Sequence, residues 1–167
     1  MTITLFSALC LLVVTNTMAQ EQNIVGVAAG NDNFTTLVAA VKAADLVGTL
    51  SGEGPFTVFA PVNDAFAALP AGTVEGLLKP ESKGALTGIL TYHVVAGKFM
   101  SEDVIAAING NNGSFDVTTV QGGTITLSLA DGSVMLKDTK GNMGKVVIAD
   151  VAASNGVVHA IDSVVMP

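Results

Sequence analysis

Arginine and tryptophan are missing from the 167 residues, cysteine and tyrosine occur once each, and only 13% of positions are charged. Phosphate and base recognition lean on the guanidinium fork. Seven Lys against 14 acidic residues give a net charge of -7. An acidic chain with no Arg and no basic run fits neither nucleic acid nor an anionic membrane surface. The acidity reads as a solubility feature. With aromatics at 5%, the core must be built mainly from Val, Ile, Leu and Ala. The single cysteine, Cys10, leaves the rest of the chain without disulfides, thiolate metal sites or a Cys nucleophile. Stability must then come from packing.

Half of the residues are hydrophobic, which excludes a disordered segment and allows a real core. Residues 1–19 read as a signal peptide. Leu5–Val14 is apolar but too short to span a bilayer as a helix, and Thr17-Met18-Ala19 offers a small-residue cleavage site. No Lys or Arg precedes the apolar run, a departure from the usual pattern. Leu9 is too large for the position before a lipidated cysteine. Residues 20–167 then form one domain with no membrane span, expected to be secreted or held in the periplasm or cell envelope. At about 150 residues a domain buries about 68–70% of its unfolded-chain surface, enough to fold without disulfides. Export without cysteine suits a bacterial protein better than an animal one.

The first half has helical periodicity. Phe34, Leu37, Val38 and Val41 form one stripe, with Asn31, Asp32 or Asn33 as a cap and Gly48 as the stop. Phe56–Phe59 reads as a buried strand stopped by Pro61. Asn63 or Asp64 caps a short helix through Leu69. Helical turns over Thr73–Leu78 and a helix over Ser82–Leu90 lead into a strand at Tyr92–Val95. Another helix starts at Ser101 and ends near Asn109-Gly110. The second half alternates as strands do. Ile125, Leu127 and Leu129 share one face, and Asp131-Gly132 makes a two-residue turn that pairs Leu129 with Val134 and Leu127 with Leu136. A second hairpin joins Lys145–Ala153 to Val157–Val165 through an Asn155-Gly156 type I′ turn. Helices first and antiparallel strands later give an α+β class.

Three segments carry a family resemblance. Phe56-Thr57-Val58-Phe59-Ala60-Pro61-Val62-Asn63-Asp64-Ala65-Phe66 resembles the first signature of fasciclin (FAS1) domains, with Val62 where Thr is common. Tyr92-His93-Val94-Val95 is similar to their central Tyr-His segment. Asn155–Pro167 resembles the closing signature. The three stand in family order, and the similarity runs from about Ile24 to the end. The resemblance implies a wedge of antiparallel strands in two short sheets with a helical layer alongside. It implies a non-enzymatic role in adhesion or extracellular contact, and no cofactor. The partner would be a cell-surface or matrix protein or polysaccharide. Fold alone does not name it.

Tyr92 and His93 are the candidate partner contact, since in some animal members a Tyr-His segment is proposed to meet integrins. The surrounding Ile89–Val95 is strongly apolar, which favours an interior position. A zinc site needs three or four convergent ligands, and His93 and His159 have no close spacing. Asn63, Asp64, His93, His159 and Asp162 are expected instead to form polar ties within the fold, Asp162 as a buried carboxylate needing a partner. The chain has no Gly-x-Ser-x-Gly elbow, His-Glu-x-x-His motif or phosphate-binding loop. Asn33-Phe34-Thr35 and Asn112-Gly113-Ser114 match the N-glycosylation pattern, which matters only in a eukaryotic host. The alternative function is a carrier for a small apolar ligand, with Phe99, Met100 and Met143 as large apolar residues lacking an assigned place.

Overall fold

The helical stripe of the first half folds as short pieces because polar residues interrupt it. The computed structural model describes residues 22–167; the expected signal peptide and Cys10 lie outside the described residues. Asn31 accepts from the Asn33 amide and starts a 3-10 turn, Asp32–Phe34, that runs into α2, Thr35–Ala43. Phe34, Leu37 and Val41 are buried as the stripe requires. The helix stops at Ala44, where Asp45 takes a left-handed φ of 59°. Asp tolerates that conformation better than most residues. Gly48 is therefore not the terminator: it lies inside α3, Val47–Leu50. Ahead of these sits α1, Ile24–Ala29, which periodicity did not announce; the Asn23 side chain caps it at Gly26.

Four more helices follow, α4 (Asn63–Ala67), α5 (Thr73–Leu77), α6 (Lys83–Tyr92) and α7 (Ser101–Gly110). Tyr92 closes α6, so it does not belong to the strand once expected there. Ser101 is the first residue of α7, with Met100 at the cap position.

The strands are β1 (Phe56–Pro61), β2 (Val94–Ala96), β3 (Ser114–Thr118), β4 (Thr124–Ala130), β5 (Ser133–Lys137), β6 (Met143–Ala153) and β7 (Gly156–Ile161). They form one seven-stranded sheet in the order β2-β1-β7-β6-β5-β4-β3. This corrects the expectation of two short antiparallel sheets. The reason is the length of β6. Its first residues, Met143–Lys145, pair with β5, and the remainder pairs with β7, so one strand joins what would have been two sheets. The sheet is mixed, because β1 runs parallel to β7 from Phe56↔Gly156 to Pro61↔Ile161. Both strands are almost wholly buried, as parallel strands covered on both faces are. A bridge between Val95 and Thr119 brings the two edge strands together and nearly closes the sheet.

The β4–β5 hairpin has the expected register, Leu127↔Leu136 and Leu129↔Val134, around Asp131-Gly132. The second hairpin differs by one residue. Ala153 pairs with Gly156, so the turn is Ser154-Asn155. Its second arm ends at Ile161, before Val165.

Alternate residues of β1 and β7 divide the interior into two cores. Val58, Ala60, Val158 and Ala160 face the helices, with Phe34, Leu37, Leu86 and Leu90. Phe59 and Ile161 face the curl of the sheet, with Tyr92, Ile108, Ile125, Leu127, Leu136 and Val165. Each large aliphatic or Phe side chain so buried contributes about 1.5–3 kcal/mol.

Candidate functional site

His93 follows the last turn of α6 and is buried. Its Nδ1 lies 2.8 Å from the Ile89 carbonyl oxygen, and its Nε2 accepts from the Val165 amide at 3.3 Å. That pairing requires a neutral ring with the proton on Nδ1. Burial holds its pKa down to about 4 from 6.5, although the bond to Ile89 favours the proton. Tyr92 is fully buried and donates its hydroxyl to the Thr124 carbonyl at 2.7 Å. Burial holds its phenol above 10.0. Neither side chain of the candidate contact pair offers surface in this fold, because helix α6 turns both inward before β2 begins.

His159 is also buried and stacks on Phe59, with ring centroids 5.7 Å apart. Its Nε2 lies 2.7 Å from the Phe99 carbonyl oxygen, and its Nδ1 accepts from the Asp150 amide at 3.2 Å. Asp150 has a left-handed φ of 58° and holds Ser101 twice, through the amide at 2.6 Å and through the hydroxyl. Burial pushes the Asp150 carboxyl up, but the Ser101 hydroxyl and amide outweigh it and leave the group below 3.8. Ser, Asp and His are thus neighbours without forming a nucleophilic relay. The carboxylate grips the serine, the ring nitrogens of His159 meet main-chain groups, and neither is placed to take the Ser101 proton.

Asn63 caps a helix, but not its own. Its Oδ1 accepts from the Thr35 hydroxyl and the Thr36 amide, both at 3.1 Å, and its Nδ2 donates to the Asp32 carbonyl at 2.7 Å. It closes the start of α2 from 27 residues away. Asp64 stands exposed in the first turn of α4, where a negative charge meets the positive helix end. Asp162 is exposed, which corrects the expectation of a buried carboxylate. The strand ends one residue earlier, so the side chain turns outward and accepts from the Lys145 amide at 2.8 Å.

Three polar ties escaped the sequence reading. Asn155 accepts from the Ile24 amide and donates to the Leu50 and Gly52 carbonyls. The Thr57 hydroxyl donates to Gly97 and accepts from the Phe99 amide. Asp138 is buried and accepts from the amides of Lys140, Asn142 and Met166 and from the Asn142 side chain. Burial pushes its carboxyl up, but these donors outweigh it and leave the group below 3.8. Asp138 and Asn142 flank a Gly-containing turn between two apolar segments, a pattern that could have marked Asp138. The Asn155 and Thr57 ties depend on distant partners and left no local signal.

Among the described residues, no group of three or more His, Cys, Asp and Glu gathers as metal ligands, and no helix is long and apolar enough to cross a membrane. Phe99, Met100 and Met143 do not share a pocket. Phe99 packs against the core inside the sheet, Met100 precedes α7, and Met143 is 50% exposed on β6. Two apolar cavities, one beside Phe59 and Val104 and one beside Ile24 and Leu37, measure about 10 and 20 Å³. Larger hollows, of about 480 Å³ beside Pro55 and Asn155 and about 340 Å³ beside Leu69 and Met143, are open grooves, whereas small-molecule sites of about 300 Å³ or more enclose most of their ligand.

The apolar surface lies elsewhere. On β6, Val147 and Ile148 are 50% and 40% exposed, and Ala149 and Asp150 beside them are exposed too. Pairing with β7 shifts register on both sides of Ile148. Beyond Lys145, β6 has left β5, so this segment bulges where the sheet parts.

A family model described as the fasciclin domain matches residues 32–167. The chain is 58% identical over 144 residues to protein sll1483 of Synechocystis, covering 86% of this chain and 73% of that one. It is 39% identical over 153 residues to immunogenic protein MPB70 of Mycobacterium bovis, covering 88% and 70%. Its fold superposes with a TM-score of 0.75 and 17% identity on a FAS1 domain pair from the insect cell adhesion molecule fasciclin I. That match takes in 87% of this chain and 51% of the pair, so the chain spans about half of it.

Proposed function

This chain belongs to the fasciclin domain family, and from that premise we propose that it is an exported, non-enzymatic contact module that binds a cell-surface or matrix component through β6. Fasciclin domain proteins are associated with adhesion and cell-surface roles. The observation that carries the reading is the exposed Val147-Ile148-Ala149 run between two register breaks. A strand that bulges at a sheet opening re-aims its side chains, and such bulges gather at working surfaces. Adjacent exposed aliphatics at such a place suit a contact better than solvation. The signature residues Tyr92, His93 and His159 have a different part in this proposal. They secure the framework, together with Asn63, Asp64 and Asp162, and leave the partner to the surface.

The test is a double variant, Val147→Ser with Ile148→Ser. Both residues are exposed, so the urea midpoint should shift by no more than about 0.5 kcal/mol in free energy. Immobilised wild-type protein should retain a component of envelope or matrix extracts that the double variant fails to retain. Equal retention by the two proteins would remove β6 as the contact face.

A further inference from the structure

After β7 the chain turns at Asp162 and runs back across the end of α6. The turn itself is pinned, since the Asp162 amide donates to the Lys145 carbonyl and its carboxylate accepts from the Lys145 amide. Beyond it, two consecutive main-chain amides are held by side chains. Val165 donates to His93 Nε2 and Met166 donates to Asp138 Oδ2. We propose that Ser163–Pro167 is an acid-released strap, held closed by a neutral imidazole and an ionised carboxylate and freed when these two acceptors take up protons.

The chemistry is one-directional. With Nδ1–H facing the Ile89 carbonyl, the only lone pair on the His93 ring is the one that meets Val165. A second proton occupies that lone pair and sets a donor against a donor. Asp138 follows at lower pH, because a protonated carboxyl accepts less strongly from its crowded set of donors. Burial keeps the closed-state ring near 4, whereas a ring released to water returns towards 6.5. Protons therefore favour the open strap between those values, and the Asp138 carboxyl responds below 3.8.

Few other charges face the ring. Strands β1 and β2 bring none. Tyr92 and Lys83 lie on its own helix, Asp138 on the β5–β6 turn, Asp162 at the strap's pivot, and His159 on β7 bonded to Phe99 and Asp150. Opening has a definite consequence. Val165 is fully buried in the core inside the sheet and Val164 belongs to the helical one. With Met166, Val164 also walls a groove of about 340 Å³ against Leu69 and Met143. Lifting the strap converts that groove into a broader apolar surface.

Amide hydrogen exchange on the purified protein, followed residue by residue from about pH 7.5 to about pH 4.5, tests this. After correction for intrinsic rates, protection at Val165 should fall by more than about tenfold, towards the ~50-fold that linkage between 6.5 and about 4 allows. Met166 should follow Val165, and both should stay less protected than the Phe59 and Val158 amides, which open only with the whole fold. One shared protection factor at all four amides, or unchanged protection at Val165, overturns the proposal. His93→Gln should remove the pH dependence at Val165. Should that variant not fold, the wild-type exchange pattern alone decides.

Discussion

The β4–β5 and β6–β7 hairpins are both closed by two residues, yet they are specified in opposite ways. In the first, Asp131 and Gly132 take left-handed φ values of 52° and 76°, and a side chain added at Gly132 would meet open space. Its geometry follows from its own turn dipeptide. In the second, Ser154, Asn155 and Gly156 stay out of the left-handed region. Asn155 holds α1, the end of α3 and the turn after it, and Gly156 lies so close to β1 that a Cβ there would collide with the Phe56 carbonyl. The first hairpin is local. The second is a joint at which helices, β1 and β7 meet, and its first arm, β6, carries the exposed Val147-Ile148 run. Similar dipeptides thus give different turns when one of them has distant partners.

The sharpest way to break this comparison is to put one methyl group at each glycine. Gly156→Ala pushes β7 away from β1, in the centre of the sheet, and should cost about 3–5 kcal/mol in urea unfolding or prevent folding. Asn155→Ala comes next, at about 2–3 kcal/mol, because three main-chain groups lose a partner. Gly132→Ala should be the mildest, about 1 kcal/mol, from left-handed strain alone. Equal effects at the two glycines would erase the distinction between a local hairpin and a joint.

Much of the fold was legible because it rests on local chemistry. The Ile125-Leu127-Leu129 face, the Asp131-Gly132 turn and the Phe34–Val41 stripe are set by period and turn type. The single mixed sheet was not, because nothing local tells that β6 serves two neighbours or that β1 and β7 run parallel. Turn position failed at Asn155-Gly156 for a related reason. Glycine there answers a close approach, and asparagine reaches across 131 residues to Ile24. Asn63 was read as a cap from its type, but its helix is α2. Periodicity gave no sign that β6 would expose Val147 and Ile148, because a bulge shifts the faces of a strand.

The central claim is that the Tyr-His segment acts from inside, as a neutral, buried tie. Its most direct test is the unfolding free energy from about pH 7.5 to about pH 4.5, in wild type and in His93→Gln. The folded pKa of His93 is lowered to about 4 from 6.5. The unfolded chain therefore binds the extra proton first, so stability is full above 6.5 and is lost as pH falls towards 4. The predicted loss in wild type over this range is about 2–3 kcal/mol, and it should be absent in His93→Gln. An unfolding free energy that stays flat in wild type, or falls equally in both proteins, would contradict the account.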